Sequence, residues 1–247
     1  MKKAAAFLIA LLIAAFPQFT LAGGASRGAA GTDVSGFSAS CIDGSVISGE
    51  VFSSYECSAV TYFATWSSDC LRQLEILAEI KAAHPEYGVF GLLRVDATST
   101  PEAALAVMNA HGYDFPVMIC SGGWQTVAEE AFVIPQTFIV NRSGVIAEAW
   151  QAAFSSSSVL LTRLMRVSFG PPDGDADVNG TVNSADALFV LRAAMGLCDQ
   201  TTEALLHADM NENGALDSQD ALEILRFRDD GAGDGHRGIV VDLEQEL

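Results

Sequence analysis

Positive charge is scarce in this chain. Its 247 residues carry 13 Lys and Arg against 31 Asp and Glu, a formal net charge of −18. A surface of that sign repels phosphate backbones and anionic membrane, which excludes general nucleic-acid binding and leaves room for a cation such as calcium. Charge of either sign is thin: 18% of residues are charged and 50% hydrophobic, too apolar for disorder and enough for one or two buried cores. Long apolar runs are also missing. The one stretch, Ala4 to Phe16, falls short of the roughly 20 residues a spanning helix needs. With no second long run, and no repeat of three or seven, the polytopic-membrane, collagen and coiled-coil classes are excluded.

Lys2 and Lys3 precede the apolar stretch, Gln18 and Thr20 follow it, and Leu21-Ala22 stand before Gly23-Gly24. A basic start, a short apolar run and small residues (Thr20, Ala22) ahead of a cut predict an export signal over 1–22. No Cys follows the cut, so lipid attachment there is not indicated. Its removal would leave 11 basic against 31 acidic residues, net −20. The expected location is secreted, with no stable membrane insertion after cleavage. Cysteine is sparse and odd in number: Cys41, Cys57, Cys70, Cys120 and Cys198. Disulfides are permitted outside the cytoplasm, but at least one thiol stays unpaired within a monomer. Cys41 with Cys57 would close a short loop, and Cys70 with Cys120 would need the fold to bring them together; connectivity stays open.

The acidic charge is uneven. From Asp173 to the end there are 17 acidic and 4 basic residues, net −13, against 14 and 7, net −7, from Gly23 to Pro172. The change falls at Phe169-Gly-Pro-Pro172, where Gly and a Pro pair end a helix and start a linker. The expected organisation is a flexible lead over 23–35, an α/β domain over 36–170, a second domain over 173–229 and an acidic tail over 230–247.

In the first domain element types alternate. Val60–Phe63 and Val89–Val95 read as strands, Leu71–Ala83 and Pro101–His111 as helices, the latter capped by Thr100. Phe115–Ile119 is a further short strand. Thr137–Val140 and Val145–Trp150 form a hairpin turning at Asn141-Arg-Ser-Gly144, and Ser158 is the expected cap of a last helix through Leu160, Leu164 and Val167. This pattern predicts a three-layer α/β domain. His84 and His111 follow helical stretches and read as end or surface residues, and Trp66 as packing.

The strand ending Tyr62-Phe-Ala-Thr-Trp66 and running through Ser67-Ser-Asp-Cys70 into a helix resembles the active-site turn of thioredoxin-like proteins. Val133-Ile-Pro-Gln-Thr-Phe-Ile-Val140 is similar to that fold's cis-proline strand. The extra strand Phe115–Ile119 resembles the insertion of the extracytoplasmic TlpA/ResA type. The resemblance implies dithiol exchange by W-C-x-x-C, whose first Cys sits at a helix N-terminus and attacks as thiolate. Here Ser67 occupies that place, and a hydroxyl forms no mixed disulfide. Cys70 matches the second Cys, and Gln73 replaces the acidic residue three positions on. Pro135 is retained, but it also shapes the fold. The expectation is a redox-inactive domain with Ser67 and Pro135 vestigial. The alternative is an oxidoreductase using Cys70 with another Cys such as Cys120.

The second segment holds a repeat 34 residues apart: Asp175-Ala-Asp-Val-Asn-Gly-Thr-Val-Asn-Ser-Ala-Asp186 and Asp209-Met-Asn-Glu-Asn-Gly-Ala-Leu-Asp-Ser-Gln-Asp220. Side-chain oxygens recur at positions 1, 3, 5, 9 and 12, with Gly at 6. That is a calcium-loop arrangement, hard oxygen donors around one cation with a backbone carbonyl at position 7. The expected ligands are Asp175, Asp177, Asn179, Thr181, Asn183 and Asp186, then Asp209, Asn211, Asn213, Ala215, Asp217 and Asp220, for two Ca2+. Each loop runs into a like helix, Asp186–Arg192 and Asp220–Arg226. Position 12 is Asp rather than the Glu of an EF-hand, and Pro171-Pro172 leave no room for a helix entering the first loop.

Two such loop-and-helix units resemble a type I dockerin over about 173–229. The resemblance implies calcium-dependent binding to a cohesin domain of a scaffold protein, with Ser184, Ala185, Ser218 and Gln219 helping to select it. It also implies association with a cellulosome-type assembly, at a cell surface where the scaffold is held there. No glycosidase carboxylate pair is identifiable, so a link to polysaccharide breakdown comes through that association alone.

Overall fold

The structure is a computed structural model describing residues 24–25, 29–129 and 133–231. The expected export signal, and the tail beyond 231, lie outside the described residues. Among those described, no helix is long and apolar enough to cross a membrane.

Residues 24–169 build a mixed six-stranded sheet with helices on both faces. Its centre is β4 (Cys57–Phe63), buried at every position because both faces are covered. The remaining strands are β1 (Gly24–Ala25), β5 (Gly88–Leu93), β6 (Val117–Ile119), β7 (Gln136–Asn141) and β8 (Ile146–Gln151), in spatial order β1-β8-β7-β4-β5-β6. β5 runs parallel to β4 and β6 parallel to β5, whereas β7 and β8 are antiparallel to their neighbours. Cys57, Ala59 and Phe63 of β4 enter one core, Val60 and Tyr62 the other. The first core is closed by α1 (Ser68–Ala83), α2 (Pro101–His111) and α4 (Ser157–Phe169). The second is closed by Phe52 of a 3-10 turn (Gly49–Ser54), by Trp124 of α3 (Gly123–Glu129) and by Ala39 of the hairpin β2 (Ser38–Ser40) and β3 (Val46–Ser48). This is the three-layer thioredoxin-like α/β arrangement.

Thr100 caps α2, accepting from the Ala103 amide at 3.2 Å, and the β7–β8 turn is held by Asn141 Oδ1, which accepts from the Ser143 and Val145 amides. The cap of α4 is Ser156, not Ser158: Ser156 Oγ accepts from the Val159 amide at 3.4 Å, and the helix begins one residue later. Both serines can cap; the residue with extended backbone before the first turn decides.

The described part of the lead, residues 24–25 and 29–35, is not free. Gly24 and Ala25 pair with β8, and the Gly31 and Val34 amides donate to Ile146 and Gly144 carbonyls, each at 2.8 Å. Ala29 and Val34 are buried. A Cβ on Gly144, whose φ is +78°, would lie 2.7 Å from Ser35 Cβ. An uncovered edge strand is a hazard, and this segment covers β8.

Beyond Pro172, α5 (Ser184–Ala194), α6 (Thr202–Ala208) and α7 (Ser218–Gly231) surround a third core of mostly small side chains, with Val190, Leu216 and Ile224 its larger members. α6 was not legible in the repeat; it enters the second loop, giving that loop the preceding helix the first lacks. α7 runs to Gly231, past the expected end at 229. The Pro pair does not isolate the two units either. Leu205 and Leu206 of α6 pack against the first core.

Leu164 of α4 is fully buried beneath the sheet. Leu164→Ala should cost about 2–5 kcal/mol, read as a lower midpoint in chemical denaturation of the full chain.

Candidate functional site

Each twelve-residue loop closes on its first and last carboxylates. Asp175 accepts from the amides of Asn179 (3.1 Å) and Gly180 (2.7 Å), and Asp209 from those of Asn213 (3.0 Å) and Gly214 (2.9 Å). Asp186 accepts from the Asp177 and Asn183 amides at 3.2 and 2.8 Å; Asp220 accepts from Asn211 and Asp217 at 3.1 and 2.8 Å. Position 1 thus ties positions 5 and 6, and position 12 ties 3 and 9, in both loops. At position 5, Asn179 and Asn213 accept from the Thr181 and Ala215 amides. At position 9, Asn183 and Asp217 accept two residues on, at the start of the following helix. Both loops place a non-glycine residue at position 4 in the left-handed region, Val178 at φ 56° and Glu212 at φ 57°. For a β-branched side chain such as Val178 that is strained.

The donors suit a hard cation. Asp175, Asp177 and Asp186 offer carboxylate oxygens all within 4.8 Å of one another. Asp186, Asp209 and Asp220 are fully buried, yet among the described residues no Lys or Arg comes within ion-pair range of them. Buried charge without a counter-charge is costly, and a divalent ion with oxygen ligands supplies it. Burial pushes Asp220 up to about 6, with the Asp209 and Asp217 charges adding to it and the Asp217 and Asn211 amides opposing. Burial raises Asp209 as well, against the Thr162 hydroxyl that donates to it. Asp217 is held low by the Gln219 amide and by Asn213.

At the other candidate site, Ser67 caps α1 and its Oγ accepts from the Cys70 amide at 3.3 Å. Cys70 is fully buried, and burial raises its thiol, outweighing the Ser67 hydrogen bond that lowers it. A buried neutral thiol is a poor nucleophile. The pairing Tyr62 with Gln136 brings Pro135, which follows a cis Ile134–Pro135 bond, to the end of the sheet where α1 starts. Ser67, Cys70 and Pro135 are therefore gathered at one end of the sheet. Cys120 is not with them: Cys70 packs in the first core and Cys120 against the second, on the other face.

The other thiols are likewise apart. Cys41 and Cys57 lie in different cores. In both pairings that the sequence left open, the two cysteines belong to different cores. Cys41 bridges to Met118, two residues before Cys120, on the face of the second core. Gln73 has a structural part, its Oε1 accepting from the Phe154 amide at 2.9 Å. Trp66 is 55% exposed rather than packed, its indole N–H donating to Asp96 at 2.9 Å. His84 and His111 stand at the ends of α1 and α2.

The duplicated loops find a family. Residues 173–227 match the dockerin type I domain. The preceding domain is similar to a thiol-disulfide isomerase from Corynebacterium glutamicum (16% identity, TM-score 0.48, covering 56% of this chain and 97% of that one). It is similar to StoA from Bacillus subtilis (19%, 0.43, 53% and 96%) and to a thioredoxin-family thiol:disulfide interchange protein from Chlorobium tepidum TLS (19%, 0.42, 48% and 83%). No curated protein matches the chain.

In the dockerin-like module Ser184, Ala185, Ser218 and Gln219 are all exposed, at the starts of α5 and α7. Sequence reasoning missed the neighbours of the second loop. Thr162 Oγ1 donates to Asp209 Oδ2 at 2.8 Å, and Arg163 and Arg166 both pair with Glu212. The one sequence signal was the acidic Glu212 where the first loop has Val178.

Asp209 and Asp220 hold protons more tightly folded than unfolded. Their contribution to metal-free stability is present below the ordinary value of 3.8 and lost as pH rises through their raised values, which for Asp220 is about 6. Asp217, shifted the other way, changes charge below that window. In the chelated full-length protein, protection factors of α5 and α7 amides should be higher at pH 5 than at pH 7. Saturating calcium should reverse the order, because protons compete with the cation for the same oxygens.

Proposed function

We propose that this chain is an exported cargo protein docked on a cohesin-bearing scaffold of the cellulosome type through its dockerin-like module, with two calcium ions holding the module in its binding form. The observation that carries the reading is the repeated network in which positions 1 and 12 of both loops gather the same backbone amides. A scaffold partner would meet the exposed starts of α5 and α7, where Ser184, Ala185, Ser218 and Gln219 distinguish one cohesin from another. Extracellular location follows from the export signal expected over 1–22 and from the scaffold.

Titration calorimetry should show two calcium ions taken up in the micromolar range or tighter, with Asp175→Ala and Asp209→Ala each losing one. Capture on immobilised cohesins of the same organism should need calcium and disappear with chelator. Binding that survives both chelation and loss of 171–247 would remove the docking assignment.

The α/β domain is proposed to be cargo without dithiol exchange, since Ser67 supplies a helix cap where a thiolate would be required and Cys70 is a buried thiol. Wild-type insulin disulfide reduction should run near background, and Ser67→Cys should raise it. Turnover in the wild type that vanishes in Cys70→Ser would instead favour a divergent oxidoreductase using Cys70 with a second cysteine such as Cys120.

A further inference from the structure

The two calcium loops share a backbone but not a surrounding. Asp177, Val178, Asn179 and Gly180 of the first loop are exposed, and a Cβ added at Gly180 would meet nothing within 4 Å. The equivalent glycine of the second loop, Gly214, has the same φ of +83° and is buried; its Cβ would lie 2.6 Å from the backbone of Ser158 and Val159. The first turn of α4 therefore rests directly on position 6 of the second loop. One turn further on, Thr162 donates to Asp209, the position-1 carboxylate.

Along the same side, Arg163 and Arg166 both reach Glu212 at position 4. The Glu212 side chain is 11% exposed in this grip. The Arg163 guanidinium lies 5.2 Å from the Trp150 ring centroid, so β8 braces it, and Arg166 also lies 3.8 Å from Glu148 of β8. Position 4 of the first loop is Val178, which has no charge to offer such a clamp.

We infer that the side of α4 turned away from the sheet is a docking surface built for the second calcium loop of the same chain, and that calcium binding in that loop and docking of the two domains reinforce each other. The physical link is shared residues. α4 fixes the left-handed position 4 through Glu212, the turn at Gly214 and one oxygen of Asp209, which are parts a bound ion also needs held. A loop ordered by calcium presents the surface that α4 grips, and by reciprocity a gripped loop binds calcium more tightly. The first loop receives no such help. The calcium half rests on the calcium reading above; the docking half does not.

The full chain tests both. The variant Arg163→Gln/Arg166→Gln removes two positive charges close to a cation site. A purely Coulombic role would make second-loop calcium binding tighter, whereas loss of docking makes it weaker, by at least about fivefold if the coupling has ordinary size. Thr162→Val should weaken the same site, and Asp209→Ala identifies which of two calorimetric events belongs to it. Small-angle scattering in calcium should show a larger radius of gyration for the double variant than for the wild type, and chelation should expand the wild type.

Gly214→Ala should open the domains more than Gly180→Ala, which carries the same backbone strain without the collision. Equal radii for wild type and double variant would overturn the docking surface. A larger radius with unchanged or tighter second-loop affinity would overturn the coupling alone. Absence of calcium uptake by either wild-type loop would overturn the calcium reading and the coupling with it, while the scattering comparison still judges the docking.

Discussion

Buried carboxylates facing inward govern this structure's second half. Asp186, Asp209 and Asp220 have no exposed surface, and their partners are backbone amides and, for Asp209, the Thr162 hydroxyl, rather than basic side chains. An amide offers part of a charge, enough to shape a loop but not to neutralise it. The loops are therefore arranged around charge that their own hydrogen bonds leave incompletely compensated, and a bound cation completes the arrangement. The third core is small, much of it alanine, so the helices around it depend on the loops for their placement more than the reverse.

Helix α4 is the element on which the two halves meet, and it has two working sides. Leu160, Leu161, Leu164 and Met165 face the sheet, while Thr162, Arg163 and Arg166 face the second calcium loop. Such a division is natural for an amphipathic helix; here much of the polar side is taken up by the second loop and by β8. Leu205 and Leu206 add an apolar margin from the module's side. The pseudo-symmetric repeat is thereby made unsymmetric by its neighbour, with one loop clamped and one open.

The thioredoxin-like end is built on Ser67, Cys70 and Gln73. Ser67 satisfies the first turn of α1 as a cap, a task for which a hydroxyl suits better than a thiol. Cys70 points into apolar surroundings that favour the neutral thiol. Gln73, replacing an acid, braces the chain at Phe154. Each of these three positions thus has a structural occupation in the turn.

Much was legible before any coordinates. Periodicity and caps located the main helices and most strands of the sheet within a few residues, and a donor pattern of period 34 marked both twelve-residue loops, because local backbone geometry and donor chemistry are written in adjacent residues. The misses include the covering of β8 by residues 24–25 and 29–34, the separation of Cys70 from Cys120 by the sheet, and the short helix α6. Sequence by itself determined that there are two loops with oxygen donors at matching positions and a hydroxyl where a thiolate would stand. Only the tertiary structure decided that the loops are unequal. Gly180 and Gly214 have the same identity and the same backbone angle, and what sets them apart is Ser158 lying against one of them, a contact between residues more than fifty positions apart that no local pattern encodes.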